Sequence, residues 1–362
     1  MLFRKTTYIS SASLSSLAWK RFRKDKLGFG SLIFIGVVLL IALLGYLITP
    51  DPTPFVNDQC LEMGLKKPGY TATFILVPKE PPVKRSHLLH RMIWGQKSRC
   101  DAYPVQDGFI DMPDDQGGFN RISAVDFLSE RPEAKRTSRT YWFGTDRFGR
   151  DILSMLVIGA RISLSVGFIS VFISLVLGIL IGSIGGYFRG WVDHVIMWFI
   201  NVVWSIPTLL LVIAITFALG KGFWQVFIAV GLTMWVEVAR VVRGQILSLR
   251  EKEFVEAGKA LGFSSFRIIT RHLLPNVMGV VIVISAANFA SAILIEAGLS
   301  FLGIGVQPPV PSWGSMIKEN YGYIILDYAY LAIMPGIAIM LLVLAFMLIG
   351  NALRDALDVK SL

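Results

Sequence analysis

The sequence has little charge and little cysteine, and it lacks the motifs of nucleotide hydrolysis. Charged residues make up 17% of its 362 positions, and there are 2 cysteines. The Gly-Lys pairs at 220–221 and 258–259 have neither the upstream glycine nor the following Ser or Thr that cradle nucleotide phosphates. No Gly-x-Ser-x-Gly or His-Glu-x-x-His set occurs. These absences indicate that the chain does not hydrolyse ATP itself, and they point to no enzyme class.

Apolar residues dominate instead, at 54% of the chain. A membrane-spanning helix needs about 20 apolar residues, because its backbone polar groups find no partners in lipid. Six segments meet this test: Leu27 to Ile48, Ile162 to Ile184, His194 to Leu219, Phe223 to Val242, Val277 to Leu299 and Tyr328 to Gly350. The first is too long for a signal peptide and is followed by no Ala-x-Ala-like site, so it is predicted to be an anchor. The pattern predicts an all-α membrane protein with six transmembrane helices.

The net charge of +10 is explained by membrane topology and not by nucleic-acid binding, because the basic residues cluster beside apolar segments. The clusters precede the first span and surround the connection between the fourth and fifth spans, as in cytoplasmic loops. Their members are Lys20, Arg21, Arg23, Lys24, Lys26, Arg240, Arg243, Arg250, Lys252, Lys259, Arg267 and Arg271. Six spans then predict cytoplasmic N- and C-termini and place residues of about 50 to 161 outside.

Residues 51–140 differ sharply in composition from the rest, being rich in proline and near-balanced in charge. They are predicted to form a small extracytoplasmic insert or a long ordered loop. Both cysteines, Cys60 and Cys100, lie there, and an oxidising compartment favours a disulfide between them, with two unpaired thiols as the alternative. His87 and His90 lie between them without a standard zinc spacing, so no metal site is predicted.

Between the fourth and fifth spans the chain becomes polar but keeps a helical pattern. Residues 245–261 mix charged and apolar side chains as an amphipathic helix does. Gly262 suits the left-handed residue that ends a helix, and Ser264 or Ser265 suits the N-cap of a second helix. Leu274-Pro275 marks re-entry into the membrane, since the first helical turn tolerates proline. This predicts a helix, a sharp turn and a second helix; a plain interfacial helix pair is the alternative.

The stretch EAGKALGFSSFRIITRHLLP, residues 256–275, resembles the EAA loop of bacterial ABC importer permeases. In that family a short cytoplasmic helix docks in a groove on the ATP-hydrolysing subunit. The resemblance implies a type I ABC importer permease-like fold with a coupling helix at 251–262. The residues that it implies for ATPase coupling are Glu256, Ala257, Gly258, Ala260, Gly262, Leu274 and Pro275. Gly258 replaces the family's second alanine, and its small size should make this tolerable.

Other segments resemble the second, C-type permease subunit of dipeptide and oligopeptide importers. They are residues 143–167, Trp191-Val192-Asp193, Val242-Arg243-Gly244-Gln245, residues 296–314 and residues 352–359. The resulting division is a cytoplasmic segment at 1–26, a first transmembrane helix at 27–48, the insert at 51–140, a five-helix permease core at 141–352 with a coupling loop at about 244–275, and a cytoplasmic tail at 353–362. The insert is longer than the resemblance leads us to expect.

Four features within the spans invite a functional or a packing interpretation. Pro207 should kink the third span, either lining the pathway or serving the fold. Glycines at 178, 182 and 186 present a smooth strip for close packing, within the chain or against a partner. Glu237 is expected to pair with Arg240 three residues on. Glu296 is expected to make a buried hydrogen bond at the outer end of its span; a role in proton or substrate binding is the alternative.

The outer segment QPPVPSWG, residues 307–314, has two interpretations. It is either a rigid loop with Trp313 anchored at the membrane interface, or a contact with a binding protein that delivers substrate.

The leading hypothesis is a permease subunit of an ATP-driven importer that carries peptides across the bacterial inner membrane. The resemblance implies four kinds of partner: a homologous permease, two ATP-binding subunits, an extracytoplasmic binding protein and the lipid membrane. ATP and Mg²⁺ would act on the partner subunits, with no cofactor, metal or nucleic acid bound by this chain. A nickel or other small-solute permease is the alternative. A stand-alone secondary transporter would need its own coupling groups, and a membrane-anchored enzyme would need a catalytic set.

Overall fold

The computed structural model describes residues 14–79, 87–98, 100–113, 119–220 and 222–357. Residues 1–13 and 358–362, the outer parts of the predicted cytoplasmic segment and tail, lie outside the described residues. The α-helices in the described part are α1 Leu14–Phe22, α2 Lys26–Ile48, α3 Leu88–Trp94, α4 Ala124–Glu130, α5 Ile152–Phe188, α6 Gly190–Trp204, α7 Thr208–Leu219, α8 Phe223–Leu249, α9 Glu253–Ala260, α10 Ser265–Ile268, α11 Leu274–Phe301, α12 Trp313–Asn320 and α13 Tyr330–Leu357.

Five helical segments of the described chain are long and apolar enough to cross a membrane. They are α2, α5, α8, α13 and a continuous helical stretch at Ser265–Phe301 that contains α10 and α11. The helices α6 and α7 pass the same test as a pair that is bent by 92°, which gives up to six spans. The predicted helical membrane fold is therefore confirmed, with the third span broken into two helices.

Helix α5 begins at Ile152, ten residues before the predicted start of the second span at Ile162. The prediction stopped there because Arg161 is charged. In the structure the Arg161 guanidinium donates hydrogen bonds to backbone carbonyls of Ala42 and Leu43 in α2 and of Met92 and Ile93 in α3, at 2.7–3.2 Å. These acceptors replace water, so the helix continues past the charge. At its start Asp151 accepts a hydrogen bond from the Ser154 backbone N–H.

The insert contains strands, which the sequence left unspecified. A three-stranded antiparallel sheet has the order β2, β1, β5, formed by β2 Cys100–Pro104, β1 Tyr70–Pro78 and β5 Lys135–Tyr141. Strands β3 Phe109–Pro113 and β4 Phe119–Ser123 form a separate antiparallel pair. Ile75 and Ile110 are buried in a small core that also contains Phe127 of α4. Of the two predicted alternatives, the insert is thus a small folded unit with its own core.

Both cysteines of the insert are free thiols in the structure, so the disulfide alternative is wrong. Cys60 precedes the 3₁₀ turn Leu61–Met63, and its Sγ donates a hydrogen bond to Glu62 Oε2 at 3.2 Å. Cys100 begins β2 and lies opposite Pro78 of β1. The two side chains are held in separate local contacts. Burial, and then the hydrogen bond to Glu62, raise the pKa of the Cys60 thiol to about 12.

The glycine strip on α5 packs within the chain, against α8. A Cβ at Gly182 would lie 2.5 Å from the Ala239 carbonyl oxygen, and one at Gly178 would lie 2.5 Å from Val238 Cβ. The contact continues at Gly186, beside the Arg243 carbonyl. Small residues let the two helices approach this closely, so α5 and α8 form one tightly joined pair.

Candidate functional site

The predicted single helix over 245–261 is two helices. Helix α8 continues from the membrane to Leu249, the chain turns at 250–252, and α9 then runs from Glu253 to Ala260. The amphipathic pattern is compatible with either arrangement, because it marks helical faces and not the break between two helices. The short helix α9 is the element that corresponds to the coupling helix expected from the resemblance.

Helix α9 ends at Ala260, and Gly262 is the left-handed residue that follows it, as the sequence predicts. This glycine has φ +74°, and its N–H donates to the Lys259 carbonyl at 2.9 Å. The next N–H, of Phe263, donates to the Gly258 carbonyl at 3.0 Å. These two bonds form a Schellman motif, which needs a left-handed residue at Gly262. The sharp turn is therefore confirmed.

The sequence predicted a second loop helix that is separate from the fifth span. In the structure the two are continuous. Ser264 is the N-cap of α10, and its side chain accepts from the Arg267 N–H. A π-helical turn at Ile269–Leu273 then joins α10 to α11, in which Pro275 lies in the first turn. The Leu274 N–H bonds the Ile269 carbonyl, five residues back. Proline has no backbone N–H and cannot donate a helical hydrogen bond. The wider π-helical turn comes just before it, and the helix continues through the proline without ending.

The exposed face of α9 contains three of the seven predicted coupling residues. Glu256, Ala257 and Ala260 are exposed, whereas Val255 is buried. Gly258 is also buried, so its predicted place on the ATPase-facing surface is wrong. A Cβ at Gly258 would lie 3.4 Å from the Phe263 ring and 3.9 Å from Ile268. These are ordinary contact distances, so Gly258 faces the next helix of the loop and not a partner.

The inner face of the loop is joined to three membrane helices. Val255 of α9 and Ile268 of α10 belong to a buried cluster with Leu273. The cluster continues into the spans through residues of α5, α8 and α11, which are Tyr187, Val238, Val242, Ile246, Val277 and Val281. Close packing transmits displacement because packed interiors compress little. A force on the exposed face of α9 would therefore reach the ends of these spans that lie beside it.

Two ion pairs brace the same region. Arg243 of α8 makes two hydrogen bonds to the Asp193 carboxylate of α6, the one from Nη2 at 2.6 Å. Arg189, between α5 and α6, donates to Glu251 at 2.6 Å, beside the end of α8. The hydrogen bond from Arg189 lowers the pKa of Glu251. Sequence reasoning missed both pairs, because their members lie about 50 residues or more apart in the chain.

The predicted pair between Glu237 and Arg240 does not form. The Arg240 guanidinium lies 3.7 Å from the centre of the Trp204 ring and donates to Asn201 Oδ1 at 3.2 Å. Its cation is thus engaged by α6 across the helix interface. The Glu237 side chain is exposed and faces a cavity beside the break between α6 and α7.

Pro207 lies at this break. Helix α6 ends at Trp204, Pro207 is the N-cap of α7, and the two helix axes differ by 92°. The predicted distortion is confirmed, and it is far larger than a kink. The cavity beside it has a volume of about 320 Å³ and is bordered by α6, α7, α8 and α11.

Glu296 lies elsewhere, near the end of α11. Its side chain is fully buried, and the Ser300 hydroxyl donates to Glu296 Oε1 at 2.7 Å. The predicted buried hydrogen bond is confirmed. Trp313 nearby is buried and its ring N–H donates to the Leu156 carbonyl at 2.9 Å, so its side chain packs within the protein and does not anchor in lipid. In this region Arg150 bridges Asp146 and Glu319 with contacts of 2.6 Å.

Two family models match the chain. The model described as binding-protein-dependent transport system inner membrane component matches residues 152–360. The model described as N-terminal TM domain of oligopeptide transport permease C matches residues 13–68. The residues between these two ranges contain most of the insert, which explains why its fold had no counterpart in the resemblance.

Individual relatives agree with these matches. The chain is 43% identical over 223 residues to the dipeptide transport system permease protein DppC of Alkalihalophilus pseudofirmus, which covers 62% of this chain and 73% of the relative. It is 39% identical over 235 residues to the glutathione transport system permease protein GsiD of Pectobacterium atrosepticum, covering 65% and 76%. A solved inward-facing MetNI methionine ABC transporter aligns with 57% of this chain and 98% of its own, at 19% identity and a TM-score of 0.48.

Proposed function

The chain belongs to the family of binding-protein-dependent transport system inner membrane components, and from this membership we propose that it is the second permease subunit of an ATP-driven peptide importer. Its proposed partners are a homologous permease, two ATP-binding subunits and an extracytoplasmic substrate-binding protein. We place it in the bacterial inner membrane with both termini in the cytoplasm. The observation that carries this proposal is α9, a short helix with one exposed face and one face joined to three spans.

The exposed face of α9 is suited to docking on another protein. Glu256, Ala257 and Ala260 are exposed on it, and the small side chains at 257 and 260 let another surface approach closely. Phe254 and Leu261 are exposed on the same short segment, and Phe266 is exposed just beyond the turn. Exposed aromatic and apolar side chains grouped on one short segment are typical of a protein–protein interface. We assign this surface to the ATP-binding subunit.

Coupling then follows from mechanics. ATP and Mg²⁺ act on the partner subunits, and this chain supplies no cofactor site to the reaction. Closure of the ATP-binding subunits displaces α9, and the cluster around Val255 and Ile268 carries that displacement to α5, α8 and α11. The equilibrium between inward-open and outward-open states shifts by the free energy with which the partner binds one state better. The chain is thus a transport subunit driven by hydrolysis elsewhere.

Peptides are the proposed cargo because the two relatives above are named for dipeptide and glutathione transport. Nickel or another small solute is the alternative cargo, as in the sequence analysis. In such systems the binding protein is expected to set most of the specificity, so the permease must accept what is delivered.

Uptake measurements separate these cargoes. A strain that lacks this chain should lose accumulation of labelled dialanine and regain it when the gene is restored, while accumulation of labelled nickel should be the same in both strains. A glutathione arm tests the breadth of peptide transport. Unchanged dialanine and glutathione uptake in the deletion strain, together with loss of nickel uptake, would replace peptide by metal as the cargo.

A further inference from the structure

The cavity at the break between α6 and α7 contains the carboxylate of Glu237, which lies within the long apolar helix α8. Glu237 lies 14 residues from the start of α8 at Phe223 and 12 from its end at Leu249. At 1.5 Å per residue, these are about 21 Å and about 18 Å along the helix. A charge at such a depth is costly unless it is solvated or paired, which makes it a candidate for function.

The surroundings of Glu237 set it apart from the rest of α8. From Thr233 to Ala239, Glu237 is exposed and all the remaining side chains are buried. Within the chain that the structure describes, no ion pair or hydrogen bond engages its carboxylate. The nearest cation in sequence, Arg240, is engaged by Trp204 and Asn201. The carboxylate is therefore available to a group that enters the cavity.

The cavity walls suit a small amphipathic molecule. Its volume of about 320 Å³ lies at the lower end of the range for small-molecule sites. Thr208, Thr233 and Ser291 supply hydroxyls, and Met234, Leu294 and Ile295 supply apolar surface. Glu237 is the one titratable group among the lining residues, which come from α6, α7, α8, α11 and the α6–α7 break. A carboxylate among such uncharged walls forms its strongest hydrogen bond with a cationic donor.

We propose that Glu237 binds the positively charged amino group of the substrate as it crosses the membrane, with the cavity holding the adjoining side chain. This inference rests on the proposed function, because a peptide with a free amino terminus supplies that ammonium group. Glu237 is thus a substrate-binding residue of the permease itself. Its role is separate from the selection of substrate by the binding protein. Its carboxylate replaces water around the ammonium group inside the cavity.

The test compares the assembled transporter in lipid vesicles, supplied with dialanine-loaded binding protein at saturation. At pH 7, Glu237→Gln should lower the dialanine uptake rate about tenfold, the loss expected for one charge-assisted hydrogen bond. ATP hydrolysis stimulated by the loaded binding protein should persist. Glu237→Asp should restore most of the uptake, and Glu130→Gln, an exposed carboxylate of the insert, should leave it unchanged.

A pH series identifies the ammonium group. The amino terminus of a peptide loses its proton near pH 8, so the advantage of the carboxylate should vanish above it. The ratio of wild-type to Glu237→Gln uptake should fall from about ten at pH 7 toward one at pH 9. Effects of pH on the binding protein cancel in this ratio. Arg240 is the nearest charged side chain on α8, and α6, α7 and α11 place no titratable group in the cavity wall.

A second variant keeps the carboxylate and fills the cavity. Leu294→Trp should lower uptake about as much as Glu237→Gln, since Leu294 is half exposed on the cavity wall. Wild-type uptake in Glu237→Gln or in Leu294→Trp would overturn the inference while leaving peptide transport intact. Loss of the partner permease from purified Glu237→Gln complex would also overturn it, by revealing an ion pair between subunits. If the wild-type complex moves no peptide, the proposed function itself fails.

Discussion

At the scale of single residues, burial decides which groups face partners and which serve the fold. Gly258 belongs to a motif that resembles a docking surface, yet it lies against Phe263 and Ile268. Its neighbours Ala257 and Ala260 carry the exposed face. The sequence predicted that small residues were needed in α9 and could not say on which side each was needed. That depends on how the turn at Gly262 folds the next helix back.

The cysteines give a prediction at this scale. Because the pKa of the Cys60 thiol is raised to about 12, almost none of it is thiolate at pH 8. Iodoacetamide should therefore label Cys60 about a thousandfold more slowly than a cysteine of ordinary pKa, as measured by mass spectrometry of the native protein at pH 8. Unfolding the protein in detergent should remove the difference.

The same spectra report on the pairing of the two thiols. Unreduced protein should carry the mass of two free thiols, at Cys60 and Cys100. Rapid labelling of native Cys60 would contradict the buried, protonated thiol. A mass lower by two hydrogens would instead reinstate the disulfide that the sequence favoured.

At the scale of elements, tertiary contacts extend and break helices that hydropathy alone delimits. The sequence located the apolar segments, because lipid demands about 20 apolar residues in a row. It did not predict that α5 would continue past Arg161, since the carbonyls that receive this side chain come from α2 and α3. The π turn before Pro275 and the 92° break at Pro207 likewise depend on tertiary packing. Proline allows these distortions, but its presence in the sequence does not specify their form.

The α5–α8 contact supports a prediction about helix packing. A side chain at Gly182 would meet the backbone of Ala239, which has no room to withdraw. We expect Gly182→Leu to destabilise the protein by about 1–3 kcal/mol and to lower the melting temperature of the purified protein by several degrees. Gly36→Leu on α2 is the matched control, because nothing lies within 4 Å of a Cβ at that position. Equal melting of the two variants would contradict the close α5–α8 packing.

At the scale of the whole molecule, the chain combines a folded insert, a set of apolar helices long enough to span a membrane, and the short helices α9 and α10 between two of them. The family membership agrees with the resemblance that the loop sequence suggested, and it covers the spans from residue 152 onward. The cavity beside Glu237 was beyond sequence reasoning, because it is assembled from four helices and appears only once α6 and α7 diverge. The nearest signal in the sequence was Glu237 itself, a carboxylate near the end of an apolar segment.

The central claim is that this molecule is driven through the exposed face of α9. It is tested most directly by the amount of ATP-binding subunit that co-purifies with the permease carrying Ala257→Trp. A bulky ring on that face should reduce the bound subunit about tenfold and abolish ATP-driven dialanine uptake, because it prevents close docking. Val125→Trp, at an exposed position of the insert, is the control and should keep both. A full complement of ATP-binding subunits and wild-type uptake in Ala257→Trp would contradict the account.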